Sequence, residues 1–438
     1  MGGAGRAPRE GSQGGGPGLR GTRRPGLGGE PLPGPLPGGR VITIRPWTLS
    51  SGERTSLLRD LRFGHFKWDA FSAGGMTLLP ETMVVSESLH GEVVAVVESL
   101  HQALSRFEGR ARRNPDTLAR LGIPSALHSL IEDEEDRVLQ CARYDLFPTE
   151  DGRLMVSEFN EDVPGGFNEA QGLPELLGDP GAGCRWEAGL RDHFVEAFRE
   201  ADGVALLYAT AFSEDLQHML ILERWLEAAG HRTVLGSPGH LRRRWRRFSV
   251  LGTPVEAAFR FYPGEWMPRL PNFPLWRKDG PGFPMMNPVR HLVRQSKLMF
   301  ALWEADPELS TGDRELLRRH CPRTLLFHRD LVPRLREERE SWVLKRAFGR
   351  MGDAVVMGNL VTEREWESAL AEAVRVPRGW CAQERFAVRP VPFQSGPLYP
   401  ALGAFVVNGR FAGYYSRAAV RPFLTHEAFH VPTVVQAA

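Results

Sequence analysis

Two strand-like runs, Arg143 to Phe147 and Leu154 to Asn160, flank the turn formers Thr149-Glu150-Asp151-Gly152, which makes a β-hairpin hard to avoid. An Asp151-Gly152 two-residue turn pairs Glu150 with Arg153. Counting outward sets Asp145 opposite Glu158 and Arg143 opposite Asn160, and the two-residue period of a strand puts all four side chains on one face. Two carboxylates directly opposed repel each other, so a cation or a proton belongs between them. Mg²⁺ suits the place, because it takes oxygen ligands and shares one or two carboxylates with substrate phosphates; Asp145, Glu158 and the amide oxygen of Asn160 could supply those ligands. The plain alternative is a solvent-facing hairpin whose acids sit in water or pair with Arg143, and Pro148 removes one ladder donor.

Around the hairpin the pattern mixes helices and strands. Ser50 and Ser51 are N-cap candidates for a helix that Gly64 closes, and a longer helix is predicted from about Glu81 to Phe107. Gly203 to Ala209, Glu214 to Ala229 and Thr233 to Leu235 read as strand, helix and strand, the βαβ unit of a small doubly wound subdomain. Val255 to Tyr262 reads as a strand and Arg290 to Ala305 as a helix. Trp342 to Lys345 and Ala354 to Met357 read as strands around a glycine loop, and Asn408-Gly409 as the turn of a second hairpin.

Lys345 ends an apolar strand just before Gly349 and Gly352. Glycine loops let backbone N–H groups approach phosphate oxygens while a lysine adds a compact positive charge, although a tight turn between two strands looks much the same. Lys297, in the Arg290 helix, taken alone reads as a solvated lysine.

Taken together, Arg143-Tyr-Asp145, Glu158-Phe-Asn160-Glu-Asp-Val-Pro164, Phe261-Tyr-Pro-Gly-Glu-Trp-Met267, Gln295-Ser-Lys297, Lys345 with its glycine loop, and Val406-Val-Asn-Gly-Arg-Phe-Ala-Gly413 leading to Arg417 resemble the glutathionylspermidine synthase family in both content and order. The resemblance implies an α+β, ATP-grasp-like fold in circularly permuted form. The expected organisation is a Gly/Pro/Arg-rich tail over 1–40, an ATP-grasp part over 41–200, an inserted α/β subdomain over 201–289 and a second ATP-grasp part over 290–438. It further implies that Asp145, Glu158 and Asn160 hold Mg²⁺ and that Arg143 stabilises the phosphoryl group in flight. Lys297, Lys345, Gly349, Gly352 and Gln383 would contact ATP, with Arg417 near the phosphoryl or carboxylate group. The activity expected is ATP-dependent joining of a small-molecule or peptide carboxylate to an amine. Arg346 and Met351 depart from the family's Lys-Pro and Gly-Arg-Glu-Gly pattern, so an inactive ATP-binding scaffold is the alternative. The family's amidase, with its cysteine nucleophile, has no counterpart here, and hydrolysis of the conjugate is not implied.

Other function classes fit less well. Lys and Arg total 55 against 53 Asp and Glu, too even a balance for a surface devoted to nucleic acid or anionic lipid. The run Arg242-Arg-Arg-Trp-Arg-Arg247 could touch phosphate, but it more commonly marks a solvated face. The apolar stretch at Val204 to Ala209 is far shorter than the roughly 20 residues needed to span a bilayer. Four scattered cysteines suggest a reducing, cytoplasmic setting. Residues 1–40 hold 15 Gly and 7 Pro, a composition that predicts disorder. His426-Glu427-Ala-Phe-His430 matches a zinc-protease motif, yet no third ligand follows it and Pro432 ends any helix there, so a terminal segment packed on the core is the better reading.

Overall fold

The computed structural model describes residues 39–72, 75–134, 139–245, 247–349, 355–425 and 427–437. Most of the Gly/Pro/Arg-rich tail, with Arg246, Met351, Gly352 and His426, lies outside them. The chain opens with β1 (Ile42–Pro46) and α1 (Ser51–Gly64), whose start is fixed by a reciprocal capping box between Ser50 and Glu53. Next come β2 (Glu81–Ser86) and α2 (Glu87–Ala111). The helix predicted from Glu81 therefore starts six residues later. Residues 81–86 are claimed by two strand partners, and Ser86 caps the helix by accepting from the Leu89 N–H.

The hairpin follows as β3 (Cys141–Pro148) and β4 (Leu154–Asn160), then α3 (Phe167–Leu177) and β5 (Cys184–Trp186). Strand β6 (Gly203–Tyr208), α4 (Ser213–Ala228) and β7 (Arg232–Gly236) form the βαβ unit. Strands β8 (Leu241–Arg244), β9 (Arg247–Val250) and β10 (Thr253–Val255) make a small antiparallel sheet that carries the arginine run, in which Arg243 pairs with Asp279. Strands β11 (Ala257–Phe261) and β12 (Met285–Met286) join β6 and β7 in a parallel sheet of order β12-β11-β6-β7.

The predicted Arg290 helix is broken into α5 (Leu292–Gln295) and α6 (Met299–Glu304). Ser296 turns extended between them and donates its hydroxyl to the Leu121 carbonyl at 2.7 Å. Strands β13 (Thr324–Leu326), β14 (Trp342–Arg346) and β15 (Val355–Met357), with β16 (Trp380–Glu384) after helix α7 (Glu363–Arg375), form an antiparallel sheet of order β13-β16-β14-β15. The last strands are β17 (Val391–Phe393), β18 (Gly396–Val407), β19 (Arg410–Ala419), β20 (Phe429–Val431) and β21 (Thr433–Gln436). Asn408 and Gly409 turn β18 into β19 with φ of 47° and 81°, the left-handed pair that a two-residue hairpin requires.

The largest sheet runs β20-β19-β18-β3-β4, with β17 also on β18, so the hairpin forms its edge. Apolar residues of one face, among them Tyr144, Leu146, Val156, Leu402 and Ala404, join the main core with α2. The segment that carries the zinc-protease motif is strand at His430, which lies opposite Arg417. The four cysteines are free, and among the described residues no helix is long and apolar enough to cross a membrane.

The exit of the hairpin is tied down by buried charge. Asp162 and Arg260, both fully buried, meet at 2.6 Å and link β4 to the parallel sheet, and the Arg260 Nε donates to the Asn287 carbonyl at 3.0 Å. Replacing Arg260 with Met should cost about 3–5 kcal/mol in chemical unfolding by stranding a buried carboxylate, and adding Asp162→Leu should recover much of that loss.

Candidate functional site

The hairpin reaches the expected face by a different route. Its loop is three residues long, Glu150 to Gly152, because the Thr149 N–H pairs with the Arg153 carbonyl and Gly152 takes φ 81°. That shifts the register by one, and a bulge between Tyr144 and Leu146 shifts it back, so Arg143 lies opposite Asn160. Two offsets of opposite sense cancel at that pair, but the bulge leaves Asp145 without a partner on β4, so it does not stand directly opposite Glu158 as the count expected.

Asp145 is the centre of the first group. The Arg143 Nε donates to its Oδ1 at 2.9 Å and the Arg143 Nη2 to its Oδ2 at 3.1 Å. The Arg417 Nη2 reaches Oδ2 at 2.7 Å and the Asn160 Nδ2 reaches it at 3.3 Å. Three strands set this geometry, since Asp145 lies opposite Gly403 of β18 and Gly403 opposite Tyr415 of β19, two residues before Arg417. A Cβ at Gly403 would come within 2.1 Å of the Tyr415 carbonyl oxygen and 3.1 Å of the Asp145 Oδ1, so glycine is what lets the strands close here. Burial disfavours the Asp145 charge, but the Arg143 and Arg417 guanidiniums outweigh it and hold the carboxyl below its ordinary range.

Glu158 gathers the lysines. The helix break at Ser296 carries Lys297 toward the hairpin, where its N–H donates to the Ala347 carbonyl and its Nζ lies 3.2 Å from the Glu158 Oε2 and 3.1 Å from the Gly349 carbonyl. Far from a solvated helical lysine, Lys297 is buried. Lys345 arrives on β14, and its Nζ donates to the Ser157 carbonyl at 3.0 Å. Burial pulls Lys345 down to about 8, with Lys297 adding to the fall and Glu158 opposing it. Burial pushes Glu158 up, but Lys297 and Lys345 prevail and keep its carboxyl below the usual range.

Gln383 sits opposite Val343, two residues along from the Lys345–Cys381 pair, so it shares the Lys345 face; its Nε2 donates to the Thr324 Oγ1 at 3.1 Å. A cavity of about 330 Å³ opens between β4 and the end of β16, lined by residues that include Met155, Phe300, Cys321, Glu384 and Phe386, with neither Gln383 nor the two lysines among its walls. Arg346 alternates away from Lys345, pairs with Glu372 and lies over the Trp380 ring at 5.1 Å. Among the described residues no group of three His, Cys, Asp or Glu side chains is gathered for a metal. The donors of Asp145, Glu158 and Asn160 are all oxygen and suit Mg²⁺, but the four hydrogen bonds on Asp145 already fill its roughly four acceptor directions, so one of its present donors must give way before a cation binds there.

The structure adds residues that the motif reading passed over. Tyr415 lies beneath both arginines, and Arg143 Nη1 donates to the Gly165 carbonyl at 2.5 Å. Lys67, Glu169, His218 and His430 form a buried polar cluster beyond Tyr415. They come from four separate segments, so no local spacing signals them.

The glutathionylspermidine synthase preATP-grasp family matches residues 64–436. Among solved structures, a glutathione synthetase-like effector from Globodera pallida, in its apo form, shares 13% identity at a TM-score of 0.59, covering 89% of this chain and 99% of the effector, which is a likeness of fold. A protein from Methylobacillus flagellatus KT, provisionally described as a gamma-glutamylcysteine synthetase, shares 12% identity at a TM-score of 0.41 over 74% of this chain and 87% of its own. No curated protein matches the chain.

Lys345 gives a direct electrostatic test. Its ¹³Cε signal should titrate near pH 8 rather than near 10.4, and Glu158→Gln should move the midpoint lower by removing the opposing charge. Because the unfolded chain holds this proton to higher pH, the Lys345 contribution to stability should rise as pH climbs from about 8 to about 10.4.

Proposed function

Because the chain belongs to the glutathionylspermidine synthase preATP-grasp family, we propose that it is an ADP-forming, carboxylate–amine ligase that uses ATP and Mg²⁺. The observation that carries this reading is a surplus of fixed positive charge. Arg143, Arg417, Lys297 and Lys345 come from four segments and converge on only two carboxylates, Asp145 and Glu158. Four cations against two anions leave a site suited to a polyphosphate. In this reading the fold is a circularly permuted ATP-grasp with 201–289 as its inserted subdomain, and the setting is cytoplasmic.

Asp145, Glu158 and Asn160 would hold Mg²⁺, which when bound would neutralise charge on the phosphate oxygens. Lys297 and Lys345 would fix the phosphate chain, with Gly349 and Gly352 in the loop over it. The base would lie near Gln383, which shares the Lys345 face. A carboxylate oxygen of the acid substrate attacks the γ-phosphorus, the bond to the β-phosphate oxygen breaks, and ADP leaves. The amine then attacks the acyl carbon, the bond to the phosphate oxygen breaks, and the nitrogen gives up a proton.

Arg143, held by Asp145 and the Gly165 carbonyl, cannot swing freely, so its charge is already in place when the phosphoryl group is transferred. Arg417 would steady the carboxylate. Positioning and charge neutralisation supply the acceleration, and no covalent enzyme intermediate is needed.

Incubation with ATP, Mg²⁺ and a metabolite extract should yield a condensation product detectable by mass, with ADP released only when acid and amine are both present. Asp145→Ala and Glu158→Ala should abolish ADP release, and Arg143→Ala should lower it by about 10²–10³-fold, each assayed below the variant's own melting transition because removing one partner of a buried ion pair also costs stability. ATP-dependent thermal stabilisation without turnover on any pair would favour the inactive scaffold instead. The orientation of Arg346, paired on the far face of its strand, argues for the active reading.

A further inference from the structure

Tyr415 stands between the two arginines and the buried polar cluster that the ligase mechanism does not use. The Arg143 guanidinium carbon lies 5.1 Å from its ring centre and that of Arg417 lies 5.3 Å away. The ring is gripped on another side by α3, because a Cβ at Gly166, the residue preceding that helix, would fall 2.6 Å from two ring carbons. Its hydroxyl meets the His430 Nδ1 at 3.1 Å.

His430 lies 3.6 Å from the Glu169 Oε1, and the Lys67 Nζ lies 2.8 Å from the same oxygen and 2.6 Å from the Asp69 Oδ1. His218 bonds Asn168, the neighbour of Glu169, at 2.7 Å. Burial alone would raise the Glu169 pKa, but Lys67 brings it down to about 2, while burial and Lys67 lower His430 to about 4. At neutral pH the chain is therefore cation, anion, neutral imidazole and phenol. The adjoining cavity is about 10 Å³, which leaves room for no substrate.

We propose that Tyr415 is a positioning residue: its ring is the platform that fixes the Arg143 and Arg417 guanidiniums over Asp145, and His430 at its hydroxyl together with Gly166 against its ring fixes the platform. Two like charges held beside one carboxylate would otherwise spread apart, and one aromatic ring within reach of both offers each a favourable resting place. The role in catalysis rests on the ligase reading; the ordering of the arginines does not.

The experiment compares wild type with Tyr415→Leu, Tyr415→Phe and Gly166→Ala, without ligands. The Nε–H signals of Arg143 and Arg417, assigned with the Arg143→Lys and Arg417→Lys variants, report hydrogen exchange at each guanidinium. Tyr415→Leu removes the platform and should speed exchange at both arginines about tenfold or more; Gly166→Ala displaces the ring but also strains the φ 111° backbone beside the Gly165 carbonyl that Arg143 uses, so in that variant the exchange at Arg417 is the readout and should rise likewise. Tyr415→Phe keeps the ring and should change exchange severalfold less. In the ligase assay Tyr415→Leu should lower kcat about tenfold while the KM for ATP stays within about twofold, because the lysines are untouched. Unchanged exchange in Tyr415→Leu, with melting preserved, overturns the proposal. If that variant does not fold, unchanged exchange at Arg417 in Gly166→Ala does so. Absence of turnover by the wild type overturns the ligase reading alone, and the exchange rates still decide the role of Tyr415.

Discussion

Two carboxylates on the outer ribbon of a sheet persist in a folded chain only where positive charge is brought to them, and much of this architecture serves that delivery. Asp145 is met within its own strand by Arg143 and from two strands away by Arg417. Glu158 is met by Lys297 and Lys345, which belong to a different layer. The sheet supplies one pair of cations and the second antiparallel sheet, with the helix break beside it, supplies the other. Because three of the four contacts cross between elements, the charges also fix how the layers sit on one another.

The sequence made the site more legible than the path that builds it. The face carrying Arg143, Asp145, Glu158 and Asn160 could be counted because strand alternation is rigid, although the count assumed a shorter loop and no bulge. Residues 81–86 were absorbed into a helix because the periodicity of α2 extends backward with no break in hydrophobicity. Only strand partners at 42–46 and 433–436, remote in sequence, make that segment extended. Lys297 was placed on a helix for a similar reason: the stretch is helical in pattern, and tertiary hydrogen bonds from Ser296 and to Ala347 interrupt it. Tyr415, Lys67 and Glu169 carry no local signal, and His430 draws notice only as part of a zinc-protease motif, since their meaning lies in contacts made between separate segments.

Buried ionic networks recur around the hairpin. Glu161, the residue after Asn160, takes hydrogen bonds from Gln140 and Tyr144 and lies 3.7 Å from Arg294, which also pairs with Glu108 of α2. Such networks contribute little net stability compared with apolar packing, but they tolerate few alternative arrangements. They suit a site whose function depends on where charge sits, and they explain why an edge ribbon, ordinarily the least anchored part of a sheet, is held so firmly here.

Strand β21 lies inside its sheet, parallel to β2 on one side and antiparallel to β5 on the other. Thr433 pairs with Met83, which stands 350 positions earlier. A sheet closed by so remote a partner must await a long search through chain entropy, while β2 meanwhile exposes a flank ready to bind any other extended segment. Refolding from denaturant is thus expected to be sluggish and sensitive to dilution, with premature association competing against completion of this one layer.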